Sequence, residues 1–252
     1  MSAAGTSPAG AEARVAIVTG AGRGIGRAVA LELARAGFSL CLAARSRDEL
    51  EQTRSQSGLA HERALIVLVD LATEDAPDLL IGTALDCYGR IDVLINNAGW
   101  APPRTPLLKM RPADMDRMLA INLRAPIALT RLAAAAMTSQ GGGTIVNVAS
   151  SAAIKAPAGE AVYAATKAAL IAFTRASFHE MRQSGLKFAV IVPGLVDTAL
   201  IPNNKRLDRA AMLSTADVAH AVMQIVNSPA GACPVEVTLE PQLDPERPRG
   251  GT

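Results

Sequence analysis

Aromatic residues are scarce in this chain. One Trp, two Tyr and four Phe make up 3% of 252 residues, so a tyrosine set into a helix calls for a reason. Cysteine is scarcer still. Cys41, Cys87 and Cys233 are odd in number, far apart and in no metal-binding spacing, which excludes a disulfide framework or a zinc site built on them. Cys41 lies in an apolar run and reads as a small core residue, and the sparse use of cysteine points to a reduced, cytoplasmic protein. Charge of one sign is lacking too. The formal net charge is +2 with no basic stripe, which argues against a nucleic-acid partner. No apolar run is long and unbroken enough to suggest a membrane span. The opening MSAAGTSPAGAEA has no basic start and no apolar stretch, so residues 1–13 read as a disordered lead rather than a signal peptide. There is no repeat of solenoid length. His61, His179 and His220 have no ligand spacing, and no metal is expected. VASSA lacks the G-x-S-x-G elbow of a serine hydrolase.

What is present is alternation. RVAIVT, FSLCLAA, ALIVLVD, IDVLIN, GTIVNVAS, KFAVIVP and VEVTLE are seven strand candidates. Six helical patterns separate them, near 24–36, 46–56, 76–88, 112–139, 160–184 and 214–228. Near-continuous Val, Ile and Leu suit parallel strands buried on both faces. The pattern predicts an α/β protein of three layers, a doubly wound seven-stranded parallel sheet with helices on both sides. No linker divides it, so residues 14–242 read as one domain, and the Pro- and Gly-rich 243–252 reads as a loose tail.

After the first strand comes TGAGRGIGRA. Gly20, Gly24 and Gly26 form G-x-x-x-G-x-G, and no register gives a strict G-x-G-x-x-G or a P-loop. Glycines between a strand and a helix permit positive φ and close backbone approach. The helix start then offers N–H groups and partial positive charge to a phosphate. Alone, a tight turn without ligand is an equal reading; its place after the first strand of an alternating chain favours a nucleotide. GEAVYAATKAAL raises a second question, because Tyr163 and Lys167 lie four apart on one face of an apolar helix. They read either as a core tyrosine beside a surface lysine or as a proton donor with a charge that tunes it.

TGAGRGIG, NNAG at 96–99, IVNVAS, YAATK and PGLVDT stand in the order and spacing of the short-chain dehydrogenase/reductase family, which the chain resembles over about residues 14–228. The resemblance implies a single Rossmann-type domain that binds NAD or NADP and assembles as a homotetramer or homodimer. It assigns Gly20, Arg23, Gly24, Ile25 and Gly26 to the phosphate turn, and Arg45 and Ser46 to the adenosine ribose. It gives Asp70 and Leu71 to the adenine. Asn96, Ala98 and Gly99 line the ribose and brace the sheet, with Asn97 structural. Pro193, Gly194, Val196 and Thr198 fall beside the nicotinamide, Val196 through its backbone and Thr198 through its hydroxyl. Tyr163 and Lys167 also touch the cofactor, Lys167 at the nicotinamide ribose. An Asp that NAD-type members carry after the second strand is replaced by Ala44, and Arg45 follows. A guanidinium suits a 2′-phosphate, so NADP(H) is expected ahead of NAD(H).

Hydride transfer to a carbonyl builds negative charge on oxygen, which needs a proton and donors already in place. A tyrosine ordinarily titrates near 10, and a nearby cation lowers that value. The resemblance makes Tyr163 the acid, Lys167 its tuning charge, Ser150 the holder of the substrate oxygen and Asn122 the holder of a relay water. Ser151 is the rival to Ser150, and Asn122 also reads as a satisfied structural amide. Substrate loops are expected at Trp100–Met110, Ala152–Gly159 and Leu195–Leu213. Trp100 and Ile154 are candidates for an apolar wall. Lys155, Lys205 and Arg206 read as solvated residues or as contacts for an acidic group or a carrier protein. The short third loop implies an open site and a modest substrate. The chain departs from many relatives in ending CPVEVTLEPQL, without the Asp-Gly-Gly stretch that packs in their subunit interface.

The resulting expectation is an NADP(H)-dependent oxidoreductase interconverting a carbonyl and a secondary alcohol. The alternatives are a 3-oxoacyl-(acyl-carrier-protein) reductase and a non-catalytic NADP-sensing protein on the same fold. The partners expected are a small molecule and copies of the chain, with no nucleic acid and no membrane.

Overall fold

The computed structural model describes residues 13–199, 201, 204 and 207–246. Its strands are β1 (Val15–Thr19), β2 (Ser39–Ala44), β3 (Ala64–Leu68), β4 (Val93–Asn96), β5 (Gly143–Val148), β6 (Leu186–Pro193) and β7 (Glu236–Leu239). They form one parallel sheet in the order β3-β2-β1-β4-β5-β6-β7. The order reverses between β1 and β4, which opens a crevice beyond their C-terminal ends. The helices are α1 (Gly24–Arg35), α2 (Arg47–Ser57), α3 (Ala76–Tyr88), α4 (Pro112–Leu119), α5 (Ala125–Ser139), α6 (Ala152–Lys155), α7 (Ala161–Met181) and α8 (Thr215–Val226). The seven strands and all six long helical patterns expected from the sequence are there, in a doubly wound Rossmann-type fold.

Alternation along each strand builds the two cores. Ala16, Val18, Leu40, Leu42, Val146 and Ile191 face one side, where α1 and α8 supply Val29, Leu33, Val222 and Ile225. Ile17, Cys41, Ala43, Ile145 and Phe188 face the other, against Leu80, Leu129 and Met137 of α3 and α5. Cys41 is therefore a core residue, and burial pushes its thiol up to about 12. With so few rings, aliphatic side chains carry this burial, at about 25 cal/mol per Å² of apolar surface.

Two features go beyond the sequence pattern. The helical stretch Pro112–Ser139 contains a π segment, Ala120–Arg124, in which the Ala125 N–H reaches the Ala120 carbonyl. That stretch is also long and apolar enough by length and composition to cross a membrane, contrary to the expectation that none is; half of its most apolar window is buried within the protein, as in a soluble core helix. The second feature is the chain's end. Residues 243–246, expected in a loose tail, are tied down: the Asp208 N–H donates to the Pro245 carbonyl at 2.8 Å, and Leu207 bridges Glu246.

Candidate active site

The glycine turn closes on itself. Gly20 and Gly24 have φ of +64° and +56°, which an L side chain resists. A Cβ on Gly26 would stand 2.2 Å from the Gly20 carbonyl oxygen, so that position admits no side chain. Asn97 braces the turn, donating from Nδ2 to the Thr19 carbonyl at 2.9 Å. The Thr19 hydroxyl accepts from the Asn97 and Ala98 N–H groups, each at 3.0 Å. Arg23 is the N-cap of α1 and places no side-chain cap on it, so the helix start keeps its N–H groups for another acceptor. Thr198 arrives from the other half of the chain, its Cγ2 being 3.6 Å from where a Gly24 Cβ would be. This tight, glycine-lined cradle fits a dinucleotide pyrophosphate.

At the ribose end, Ala44 closes β2 without a carboxylate and Arg45 is exposed. The Ser46 hydroxyl caps α2 by accepting from the Glu49 N–H at 3.4 Å. Asp70 accepts from the Ala72 N–H at 3.1 Å and pairs with Arg117 at 3.1 Å. Partial burial works to raise its carboxyl, and is outweighed by the Ala72 N–H, Arg117 and the Arg45 charge, which together hold it below the usual value. Arg45 thus stands near enough to be felt at Asp70. The Leu71 side chain is buried.

Three neighbours of this region were silent in the sequence. The Glu49 carboxylate lies 3.0 Å from a Cβ built on Gly22 and 3.5 Å from Arg23. Thr53 donates to the Ala21 carbonyl at 2.8 Å, and Arg27 donates to Thr53 at 3.0 Å and to the Gly22 carbonyl. The Ser46-x-x-Glu49 spacing of a capping box was the one available signal. Glu49 turns instead to the glycine turn.

Asn96 ends β4. It is fully buried and donates to Asn147 at 2.9 Å and Thr130 at 3.2 Å, so its amide nitrogen braces the sheet, while its Oδ1 has no partner among the described residues. Ala98 and Gly99 follow at the strand end, Gly99 beside Lys167 and Asn122.

Tyr163, Ser150 and Lys167 come together. β5 ends just before Ser150, and the first turn of α7 carries Tyr163. Burial, with the Glu160 charge adding to it, pushes the phenol above its ordinary value, and the Ser150 hydroxyl works against them by favouring the phenolate. The expected lowering of Tyr163 is therefore absent from the protein alone: desolvation is the larger effect. Lys167 is 3% exposed and donates from Nζ to the Val148 carbonyl at 2.8 Å. Its Nζ is 5.9 Å from the Tyr163 ring centre. Burial lowers Lys167 to about 8, so it remains largely an ammonium at neutral pH. Ser151 instead donates its N–H to the Pro193 carbonyl at 2.8 Å and opens α6. Ala156, which closes α6, has φ +45°, an uncommon conformation for alanine.

Asn122 lies in the π segment with no exposed surface. Its amide grips the Trp100 backbone at both ends, accepting from N–H and donating to C=O, each at 2.8 Å. It also donates to Thr166 at 3.4 Å. The side chain is thus a satisfied structural amide. The Trp100 ring, a candidate for the substrate wall, lies 5.6 Å from the Arg117 guanidinium and so sides with the Asp70 pair. Ile154 is exposed. Lys155 pairs with Glu240 at 3.0 Å, while Lys205 and Arg206 fall outside the described residues. Pro193 ends β6, and Gly194 leads on to Val196, which bridges Leu213. That bridge uses the Leu195 carbonyl and the Asp197 N–H, leaving the N–H and C=O of Val196 outside it.

Residues 14–208 match the family model described as short chain dehydrogenase. An uncharacterised oxidoreductase of Staphylococcus aureus is 31% identical over 228 residues, spanning 90% of this chain and 97% of its own. A metagenomic short-chain oxidoreductase solved in complex with NADP is 32% identical at a TM-score of 0.81, over 92% of this chain and 98% of its own. A 3-ketoacyl-(acyl-carrier-protein) reductase from Brucella melitensis, complexed with NADH, is 26% identical at a TM-score of 0.83, over 91% and 96%. A glycine cradle before α1, a Tyr–Ser pair beside a buried lysine and a match over most of the length agree: this chain belongs to the short-chain dehydrogenase/reductase family and is an oxidoreductase that works with a nicotinamide cofactor.

Proposed function

We propose that the protein is an NADP(H)-dependent reductase of a small carbonyl compound, acting in reverse on the secondary alcohol, with Tyr163 as acid and base. The Ser150 hydroxyl acting on the Tyr163 phenol, beside a buried Lys167, carries this reading. A nicotinamide held here would supply or accept the hydride, and its oxidised form would add positive charge. Tyr163 passes its proton to the developing oxyanion, and Ser150 donates a hydrogen bond to the same oxygen. The Lys167 ammonium stabilises the phenolate left behind and reaches for the nicotinamide ribose. Asn122 serves by clamping Trp100, and any relay water rests on the π-segment backbone rather than on the engaged amide.

Gly20, Arg23, Gly24, Ile25 and Gly26 would hold the pyrophosphate with Thr198. Arg45, Ser46, Asp70, Leu71, Ala98 and Gly99 would hold the adenosine, with Asn96 through its backbone; Pro193, Gly194 and Val196 would hold the carboxamide. Arg45 in place of an acid favours a 2′-phosphate, and the NADP-bound structural relative supports this choice. The Glu49 carboxylate beside Arg23 is the feature that favours NAD(H) instead. Kinetics with both cofactors decide: kcat/KM with NADPH should exceed that with NADH at least about tenfold, and Arg45→Ala should remove most of the difference, a guanidinium–phosphate contact contributing about 1.5–3 kcal/mol. Equal values in the wild type would overturn the choice.

Met115, Leu119 and Ile127 are exposed apolar residues along the 112–139 helix, a surface suited to another copy, which supports a homodimer or homotetramer. The 3-oxoacyl reductase reading keeps one observation, the likeness to the Brucella enzyme. A panel of ketones, quinones and 3-oxoacyl thioesters separates the two.

A further inference from the structure

Thr198 belongs to the loop after β6, yet it lies against the glycine turn. Its Cγ2 and Cβ are 3.6 and 3.9 Å from where a Gly24 Cβ would be. The loop leaves the sheet after Pro193 and meets itself again at the Val196–Leu213 bridge. Two backbone bonds close that bridge, from the Asp197 N–H to the Leu213 carbonyl at 2.8 Å and from the Leu213 N–H to the Leu195 carbonyl at 2.9 Å.

The guanidinium of Arg209 reaches back across this closed loop. It pairs with the Asp197 carboxylate and donates to the Ile201 carbonyl at 2.7 Å and the Thr198 carbonyl at 3.5 Å. The Thr198 carbonyl also accepts from the Ile201 N–H at 3.2 Å, so 198–201 is a turn that Arg209 holds from outside. Arg209 has its own footing. It opens the short 3₁₀ turn Arg209–Ala211, where the Asp208 carboxylate accepts from the Ala210 N–H at 3.1 Å. The Asp208 N–H is in turn bonded to the Pro245 carbonyl at 2.8 Å. A planar, permanently charged fork can serve a carboxylate and two carbonyls at once, which a lysine ammonium does less well. The Arg209–Asp197 pair is 38% and 48% exposed, so it adds little to global stability. Its consequence is local: it sets where Thr198 stands.

We infer that Arg209 is a positioning residue for cofactor binding, holding Thr198 against the glycine turn and so completing the pyrophosphate cradle that Gly20, Gly24 and Gly26 begin. This rests on the reading of Thr198 as a pyrophosphate contact and adds the residue that puts it in place.

The test is a double-mutant cycle on the dissociation constant of NADPH, with NADH in parallel, titrated into the purified full chain. Thr198→Val should weaken binding about fivefold, as for one lost hydrogen bond. Arg209→Ala should weaken it by a similar factor. The double variant should bind no more weakly than either single, because both remove the same contact. The adenosine fragments, adenosine 2′-monophosphate and adenosine, lack pyrophosphate and nicotinamide and should bind wild type and Arg209→Ala alike. Losses that multiply in the double variant overturn the inference, as does an Arg209→Ala protein that binds the dinucleotide as the wild type does or loses the fragments in proportion. Unchanged affinity in Thr198→Val overturns the reading of Thr198 itself, and the inference with it. Where Arg209→Ala does not fold, Arg209→Lys carries the same cycle, since it keeps the charge beside Asp197 and loses the fork.

Discussion

The two tyrosines of this chain occupy opposite kinds of site. Tyr88 closes α3 at the edge of the sheet, where its hydroxyl donates to the Leu40 carbonyl at 3.1 Å and accepts from the Leu65 N–H at 3.1 Å. It stitches β2 to β3, and burial pushes it up to about 12. Tyr163 is also half-buried and also raised, yet the group acting on its phenol is the Ser150 hydroxyl, and a buried ammonium lies next to its ring. A phenol bonded to backbone on both sides has no proton to spend. One facing a serine beside a cation can change state without breaking the fold. Burial and a raised pKa do not distinguish the two roles; the partners do.

The largest break in this comparison is expected from Tyr163→Phe. Turnover should fall by about a thousandfold or more, with NADPH binding largely kept, as stopped assays and cofactor titration would show. Unchanged kcat would refute the role. Next comes Lys167, whose charged form is lost as pH rises through about 8. The rate of carbonyl reduction, kcat, should decline over that range, and in Lys167→Met it should be low at every pH. Stability should respond in the opposite sense. The folded value of Lys167 lies below the ordinary 10.5, so the unfolded chain binds more protons between about 8 and 10.5. This group therefore adds stability as pH rises across that window, and a denaturant series comparing wild type with Lys167→Met would show it. The smallest effect belongs to Tyr88→Phe. Activity should hold, while stability drops by about 1–2 kcal/mol through the two lost backbone contacts, read from chemical denaturation. A Tyr88→Phe protein that is stable but inactive would erase the contrast.

Much of this was legible in the order of residues. Alternating apolar runs and helical patterns carry the sheet, because parallel strands buried on both faces leave a continuous hydrophobic signature. The spacing of Ser150, Tyr163 and Lys167 carries the proposed reaction centre. What escaped is what backbone decides. The closing of the Asn122 amide on the Trp100 backbone and the approach of the Trp100 ring to Arg117 have no mark in the order of residues. Arg27 and Thr53 bond to carbonyls of the glycine turn, and a carbonyl has no letter in the sequence. Residues 243–246 read as loose from their prolines, yet a main-chain bond from Asp208 to Pro245 holds them against the loop after β6. The expected fall in the Tyr163 pKa failed for a related reason: a sequence shows the lysine and not the desolvation around the phenol.

The π segment at Ala120–Arg124 makes the long helix into two gears set out of phase. One extra residue in a turn rotates everything upstream by about 100° relative to everything downstream. α5 can therefore lay Leu129, Ala133 and Met137 on the sheet while the preceding turns keep their own bearing and present Asn122 to Trp100. Deleting a single residue between 120 and 124 would give a more regular helix and a worse protein, in which the core half keeps its seat and the site half turns away. In this stretch, indels rather than substitutions are the sensitive form of variation.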